Sequence, residues 1–574
     1  MPARPDPAPA PLAPGSITPA DLRAQTVGID AEVATPFGRR PLVYADYTAS
    51  GRHLAFVEDY LAGLAPLYAN SHTEDSLTGR TATRLLHQAE AAIKRCLGAG
   101  DGGKIICCGT GATGATYRLQ ELLGIAIPPA TRDRLEWSGE APGLQRERLV
   151  GDREPVVFVG PFEHHSNEVT WREGLCELVE VPLCPEGGFD LDALDAALAR
   201  FAGSGRPLVG SFSAASNVTG VVAPVHEIAR RLHAAGGIAA FDYAAGGPYL
   251  AIDMCPDGDP DAWLDAVYLS PHKFLGGPGS AGVLVLNERL YPGHLAPSVG
   301  GGGTVGYVGL SSHDFLDDIE AREKAGTPGL YQVLRAALAL EVKAAVGADA
   351  IHDAERAHLE RAFARWTRHP GVDILGPTDP GRRVGIVSFN LNDAGFGTLH
   401  PKFVTVLLND LFGIQSRAGC SCAGPYGHRL LGIGEVESER YRAATRRGLH
   451  GIKPGWCRVG FHFTMDDADA DYVIRAVELV AELGVRFLPL YDFCIETGAW
   501  THRTGEPAPV EFSLADALAA EPAPPPAPVS ADARRARYAA LLDEARELAG
   551  RLAEPDATAR LDGDLDELQF FVMS

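Results

Sequence analysis

Short apolar runs that stop abruptly at polar residues recur between about positions 40 and 340. Ile105-Ile106-Cys107-Cys108 breaks into Gly109-Thr110-Gly111-Ala112-Thr113-Gly114-Ala115, and Val157-Phe158-Val159 runs into Gly160-Pro161-Phe162-Glu163-His164-His165-Ser166-Asn167. Leu208-Val209-Gly210-Ser211-Phe212-Ser213 leads to Ala214-Ala215-Ser216-Asn217. Ile238-Ala239-Ala240-Phe241 closes on Asp242, and the run over 265–269 closes on Ser270-Pro271-His272-Lys273. Runs apolar at successive positions predict strands buried on both faces, the signature of a parallel sheet. Amphipathic helical stretches alternate with them, the first over 116–123. The pattern predicts an α/β chain with a large, mostly parallel sheet.

Further along, the pattern changes. Residues 330–368 read as helical and lead to a smaller α+β domain. There Val384-Gly385-Ile386-Val387-Ser388-Phe389 predicts a strand and 403–412 a helix. The polar stretch 128–153 reads as an inserted loop. Glu521-Pro522-Ala523-Pro524-Pro525-Pro526-Ala527-Pro528 is a semi-rigid linker by composition. The Ala-, Arg-, Glu- and Leu-rich stretch 531–552 predicts one amphipathic helix. The tail ending Phe570-Phe571-Val572-Met573-Ser574 fits docking onto the body and disorder equally. The expected organisation is a disordered arm over 1–25, a large domain over 26–340 that includes an N-terminal segment of the smaller one, a small domain over 341–490, and an extension over 491–574.

Composition narrows the partners. The 574 residues carry 51 basic and 74 acidic side chains, a net charge of −23. That disfavours nucleic acid and anionic membrane as partners. No apolar run is long enough to span a membrane. Residues 1–14, rich in Pro and Ala, lack a signal-peptide core. Ten scattered cysteines form no dense framework, so reduced thiols and a cytoplasmic location are expected.

The polar tips carry the candidate chemistry. Lys273, presented at a strand end and followed by Gly276-Gly277-Pro278-Gly279, is a candidate Schiff-base nucleophile. A lysine taken at random is a solvated surface residue; here Ser270 and His272 beside it can hydrogen-bond a phosphate. Asp242 can pair with a protonated pyridine nitrogen and keep a pyridoxal ring an electron sink, or it can cap a turn. Asn217 can reach a ring oxygen of the same cofactor or stabilise its own turn. His164 can lie flat on an aromatic ring or serve as a structural hydrogen-bonder. The turn at 109–115 places backbone N–H groups and a helix dipole toward an anion.

With these residues in hand, the chain resembles the class V aminotransferase-like enzymes, specifically the cysteine desulfurase and selenocysteine lyase group, over about residues 40–485. Further marks of that resemblance are Tyr44-Ala45-Asp46-Tyr47-Thr48-Ala49, Asn70-Ser71-His72, Ala325-Gly326-Thr327-Pro328 and Arg417-Ala418-Gly419-Cys420-Ser421-Cys422-Ala423. The last is also similar to the desulfurase domain of molybdenum-cofactor sulfurases. The resemblance implies the fold of type I pyridoxal-phosphate transferases and pyridoxal 5'-phosphate as cofactor. It implies Lys273 as the covalent attachment, Asp242 on the pyridine nitrogen, His164 on the ring, and Ala112, Thr113, Ser270 and His272 around the phosphate. Asn217 would serve both cofactor and substrate. Thr327 would reach the phosphate of a partner subunit in a homodimer. His72, Arg417 and Arg458 fall at substrate positions, with Arg458 gripping the carboxylate in a bidentate pair. Gly114 replaces a common glutamate, and Glu323 and Lys324 replace residues common before Ala-Gly-Thr, which touches fine substrate contacts.

Sulfur abstraction needs a thiolate on a movable segment. Cys422 among Gly419, Ser421, Ala423 and Gly424 suits that, against the usual fate of a free cysteine as a buried inert thiol. Cys420 could resolve a persulfide or form a disulfide. Cys420, Cys422 and His428 lack a second ligand cluster, so no metal is expected. The expected activity is conversion of L-cysteine to L-alanine with a persulfide on Cys422, and a sulfur-acceptor protein as a further partner. The rivals are a transaminase, epimerase or β-lyase in which Cys422 is incidental, and a non-catalytic sulfur-transfer scaffold.

Overall fold

In the computed structural model, which describes residues 13–109, 111–134, 151–505, 513–514 and 529–574, seven strands share one sheet. They are β1 (Gly103–Cys108), β2 (Val156–Val159), β3 (Glu177–Glu180), β4 (Leu208–Ser213), β5 (Ile238–Asp242), β6 (Ala266–Leu269) and β7 (Gly282–Asn287). Their order is β1-β7-β6-β5-β4-β2-β3. The pairs among β3, β2, β4, β5 and β6 are parallel, and β7 runs antiparallel to both β1 and β6. All residues of β2, β4 and β6 are buried. Burial on both faces is why these strands read as unbroken apolar runs rather than alternating ones.

The chain divides into two units. One is formed by the chain up to Thr18 and by Thr48–His352, and it contains this sheet. The other is formed by Pro19–Tyr47 and Asp353–Ser574. The segment that composition marks as a disordered arm over 1–25 thus ends in a helix, Pro19–Gln25, with Leu22 wholly buried. The arm's first twelve residues, most of the polar stretch 128–153 and the Pro-rich 521–528 lie outside the described residues. The helical stretch 330–368 is two helices, Leu330–Val346 and Ala348–Trp366, parted at Gly347, whose φ of 90° suits glycine.

The second unit has a five-stranded antiparallel sheet: β8 (Val372–Ile374), β9 (Ile386–Asp393), β10 (Arg417–Gly419) and β11 (Trp456–Gly460) lie in the order β8-β9-β11-β10, and the short strand Gly397–Thr398 pairs with the end of β9. The N-terminal strand Val43–Tyr44 pairs in parallel with Ile414–Gln415 in the same unit. Its boundary differs from the expected 341–490 because the C-terminal extension shares its core. The helix Ala531–Arg551 buries Tyr538, Leu541, Leu542, Ala545 and Ala549, one helical face at the expected spacing. Tyr538 stacks on Tyr472 with ring centroids 3.9 Å apart and donates its hydroxyl to Asp469 at 2.9 Å. The tail is docked: Phe571 is buried against the edge of His400, and the Val572 N–H donates to the Thr398 carbonyl at 2.9 Å. Replacing Leu541 with Ala should therefore lower the stability of this unit by about 2–5 kcal/mol. Thermal unfolding followed by circular dichroism measures it, and an unchanged midpoint would mean that the helix is peripheral. No helix among the described residues is long and apolar enough to cross a membrane.

Candidate active site

Parallel strands deliver whatever follows them to one edge of the sheet, and that edge is where open α/β sheets bind ligands. In the first unit the residues at and after the C-terminal ends of β1, β2, β4, β5 and β6 line a cavity of about 220 Å³. Ala112, Thr113, His164, Asn217, Asp242, Ser270, His272 and Lys273 all line it. Eight sequence-predicted positions, drawn from five separate segments, are thus brought together.

The anion end of the cavity is built on the helix α1 (Gly111–Leu122). Gly111 has a φ of 56°, and a Cβ there would stand 2.7 Å from the Ser270 hydroxyl. Gly282 on the neighbouring strand passes so close that its Cβ would meet the Gly111 carbonyl at 2.2 Å. A side chain at Gly282 would force the backbone to move, and one at Gly111 would displace the Ser270 hydroxyl and sit at a left-handed φ. The Ala112 N–H donates to Ser270 Oγ at 2.8 Å, and the hydroxyls of Thr113 and Ser166 lie 2.7 Å apart. Burial, with the Lys273 charge adding to it, pushes the His272 imidazole below its ordinary range, favouring the neutral ring. Helix N–H groups, two hydroxyls and a neutral imidazole form a donor set that suits a phosphate dianion.

At the tip of β5, Asp242 is buried and accepts a hydrogen bond from the Ala244 N–H at 2.7 Å. Burial raises its pKa, while the Ala244 bond and the Lys273 charge pull the other way. A buried carboxylate of this kind is stabilised by any cationic N–H placed against it. Lys273 ends the single 3₁₀ turn Pro271–Lys273, whose backbone is clamped: the Lys273 N–H donates to the Ser270 carbonyl at 2.9 Å, and the Gly51 N–H to the His272 carbonyl at 2.9 Å. Gly277 lets this turn fold back, since a Cβ on it would lie 1.8 Å from the Pro271 carbonyl oxygen. His164 Nδ1 accepts from the Ser166 N–H at 3.1 Å, which leaves the proton on Nε2.

Sequence reasoning passed over Glu163, which anchors Ser213 of the cavity lining. Its carboxylate takes four donors: Gly160 N–H at 3.2 Å, Ser213 N–H at 2.8 Å, Ser213 Oγ at 2.6 Å and Asn167 Nδ2 at 2.7 Å. Asn167 Oδ1 in turn accepts from Ser211 Oγ at 2.5 Å, and Ser211 meets the Tyr268 hydroxyl at 2.9 Å. Burial outweighs these bonds and lifts the Glu163 carboxyl to about 7. An acidic residue after an apolar strand was the only available signal, and its partners come from distant segments.

The remaining predicted positions do not line the cavity. Thr327 is exposed in the first unit, beside Gly326, whose carbonyl lies 3.0 Å from His72 Nε2. In the second unit Arg417 and Arg458 stand directly opposite each other on paired strands, where like charges repel. Asp46 resolves this: Arg417 Nε donates to Asp46 Oδ2 at 2.9 Å and Arg458 Nη2 to Oδ1 at 3.0 Å. One carboxylate between two guanidinium groups leaves a net positive cluster able to take a second carboxylate.

Cys422 lies just after β10. Among the ten cysteines only Cys420 and Cys422 are exposed. Ser421 and Cys422 have φ of 47° and 57°, and they are the only non-glycine residues at positive φ among the described residues. The Ala423 N–H donates to the Cys420 carbonyl at 3.1 Å, closing a turn with both central residues left-handed. Each such residue costs about 1–3 kcal/mol, a strain that clusters at functional sites.

The sequence pattern of the Aminotransferase class-V family matches residues 143–473. A protein of Streptomyces coelicolor described as "Probable cysteine desulfurase" is 28% identical over 390 residues, covering 67% of this chain and 84% of that protein. A "Cysteine desulfurase" of Enterobacter sp. strain 638 is 30% identical over 274 residues, covering 47% of this chain and 61% of its own. The fold matches the apo structure of a cysteine desulfurase from Thermococcus onnurineus NA1 with a TM-score of 0.62 at 20% identity, over 81% of this chain and 98% of that one.

Proposed function

The chain belongs to the Aminotransferase class-V family, and on that premise we propose that it is a pyridoxal-phosphate-dependent cysteine desulfurase, taking the sulfur of L-cysteine onto Cys422 and releasing L-alanine. The observation that carries the reading is the meeting of Lys273, the buried Asp242 and the anion-ready start of α1 in one cavity. The cysteine desulfurases among its relatives support the choice of substrate.

Pyridoxal phosphate would supply an electron sink for proton loss at the substrate's α-carbon. Lys273 would hold it through Nζ and, once the substrate amine has displaced it, carry the α-proton. Asp242 would face the ring nitrogen, where its raised pKa falls as it gains a cationic partner. Ser270, Thr113, His272 and the N–H of Ala112 would hold the phosphate. His164 would cover one ring face, with Asn217 beside the ring oxygen and the substrate. Arg458, with Arg417 and His72, would take the substrate carboxylate, exchanging with Asp46. The Cys422 thiolate would attack the substrate sulfur and break its bond to carbon; the electron pair stays on that carbon, which takes a proton to give alanine.

The reading includes a homodimer in which Thr327 serves a partner's phosphate. Tyr307, Val308 and Leu310, which are 62, 64 and 109% exposed on the hairpin of Val305–Val308 and His313–Phe315, are in keeping with a covered surface there. All ten cysteines are free thiols, which suits a reducing compartment such as the cytoplasm, where a protein thiol would accept the sulfur.

The experiment is to incubate the purified protein with pyridoxal phosphate and L-cysteine and to assay alanine and sulfide together. Equal yields are expected in the presence of a thiol reductant. Pyruvate in place of alanine would instead support a β-lyase. Asp242→Asn should retain the cofactor through the phosphate contacts and lose about a hundredfold or more in turnover, the scale on which one electrostatic partner of a reacting group acts. Unchanged turnover in that variant would make Asp242 structural.

A further inference from the structure

The turn that carries Cys422 carries a second exposed thiol, and its backbone decides how far apart the two lie. A residue in the left-handed region is the mirror image of a helical one. Two Cα atoms flanking it are therefore as close as positions i and i+2 of a helix, about 5.4 Å from the helical rise, radius and pitch. Ser421, with its φ of 47°, is that flanked residue, so Cys420 and Cys422 fall at this separation. Disulfides need Cα atoms about 4.4–6.8 Å apart and side chains that do not point apart. Side chains at i and i+2 of a continuous helix do point apart, but Cys420 lies outside the left-handed pair, so its side chain is not held to that direction. In an extended strand the same two side chains would point to one face but with Cα atoms near the upper limit or beyond it.

The turn is pinned at both ends and open at its tip. On one side Gly419 pairs with Trp456 across β10 and β11, and Gly455 packs so closely that a Cβ on it would lie 2.8 Å from the Gly419 backbone. On the other side Ala423 is wholly buried. Nothing stands within 4 Å of the space a Cβ on Gly419 would fill, and both thiols are exposed.

We propose that Cys420 is a resolving residue: it attacks the inner sulfur of a persulfide on Cys422, closes a Cys420–Cys422 disulfide and expels hydrosulfide. This rests on the desulfurase reading above. The step balances without an outside oxidant. The sulfur–sulfur bond of the persulfide breaks, a new one forms between the two cysteines, the terminal sulfur leaves with the electron pair as hydrosulfide, and the two thiols supply its two electrons. A thiol reductant, a dithiol being the natural class, must then reduce the pair before the next cycle. A site built this way releases free sulfide under reducing conditions and halts itself when reductant runs short.

The test uses the full-length protein loaded with pyridoxal phosphate, given L-cysteine without reductant and quenched with an alkylating agent. The peptide holding both cysteines is then weighed, with alanine and sulfide counted in the same sample. The expected result is one alanine and one sulfide per subunit, a peptide lighter by two hydrogens and resistant to alkylation, and renewed turnover on adding dithiothreitol. Cys420→Ala and Cys420→Ser should each yield a peptide heavier by one sulfur at Cys422, with no sulfide until an external thiol is added. A variant that bears the extra sulfur has completed the first step and is therefore folded. If neither variant reacts, the wild-type peptide mass decides alone. A wild-type peptide that keeps the extra sulfur, with no sulfide released, overturns the resolving role while leaving the desulfurase reading intact. No alanine at all overturns that reading and the resolving role with it.

Discussion

Lys273→Ala is expected to lose alanine formation by about four orders of magnitude or more, since proton transfer by a positioned group alone accounts for about 10²–10⁴-fold and the covalent attachment is lost as well. The wild-type protein should be yellow when loaded with pyridoxal phosphate, and borohydride should fix the cofactor to the chain. In Lys273→Ala the cofactor should still bind, because the hydroxyl of Ser270, the N–H of Ala112 and the hydroxyl of Thr113 do not depend on the lysine. It should then wash out on gel filtration after borohydride, with no mass added to the protein. The fold should be indifferent, since the clamp on this turn is made by backbone groups of Ser270, His272 and Gly51. A variant that still fixes cofactor under borohydride would move the covalent role to another lysine, and one that keeps turnover would remove it altogether.

In the same cavity, Glu163 stands behind the lining and holds Ser213, which is part of it. Gly160, Asn167 and Ser213 hold the carboxylate of Glu163, which receives four hydrogen bonds and joins the end of β2 to the end of β4. Asp242 lies on the next strand, and its charge adds to the burial that raises Glu163. Two buried carboxylates at strand ends separated by a single strand cannot both stay charged cheaply. A cationic group bound against Asp242 would offset its charge and ease this smaller part of the upward pull on Glu163.

The large sheet and most of the cavity were legible because parallel burial leaves a simple mark: an apolar run, then a polar tip. Asp242 and Lys273 each stood at such a tip, and the structure sets both on the same cavity. The Glu163 network was not legible, because Ser211, Ser213, Asn167 and Tyr268 are ordinary residues whose meeting is a property of the sheet order. Asp46 was visible only as part of a string, and its shared hold on Arg417 and Arg458 depends on an N-terminal segment placed in the second unit. The strand Val43–Tyr44 has two residues and no local pattern that names Ile414–Gln415 as its partner. The turn at Ser421 and Cys422 was hidden for the opposite reason. Left-handed turns select Gly, Asn or Asp, and this one has neither at its centre, so local chemistry argued against the conformation it adopts.

Cys422→Ala should leave the lysine-bound cofactor spectrum and the binding of L-cysteine in place while losing alanine production by several orders of magnitude, because removal of a nucleophile leaves the sulfur with no low-barrier acceptor. The substitution is mild for the fold. Cys422 is exposed, its thiol packs no core, and alanine at its φ of 57° carries a strain comparable to that already present in the wild-type turn. Loss of activity can then be assigned to the thiol rather than to collapse of the loop. L-Cysteine is the substrate to use, since the weaker carbon–selenium bond of selenocysteine can break without a thiol acceptor. The readouts are the spectral change on adding L-cysteine, alanine per subunit in a single turnover, and the mass of the peptide that holds the turn. A normal spectral response with no alanine and no added sulfur is the expected combination. Normal alanine production by Cys422→Ala would reject the desulfurase mechanism and make the strained turn incidental to the reaction.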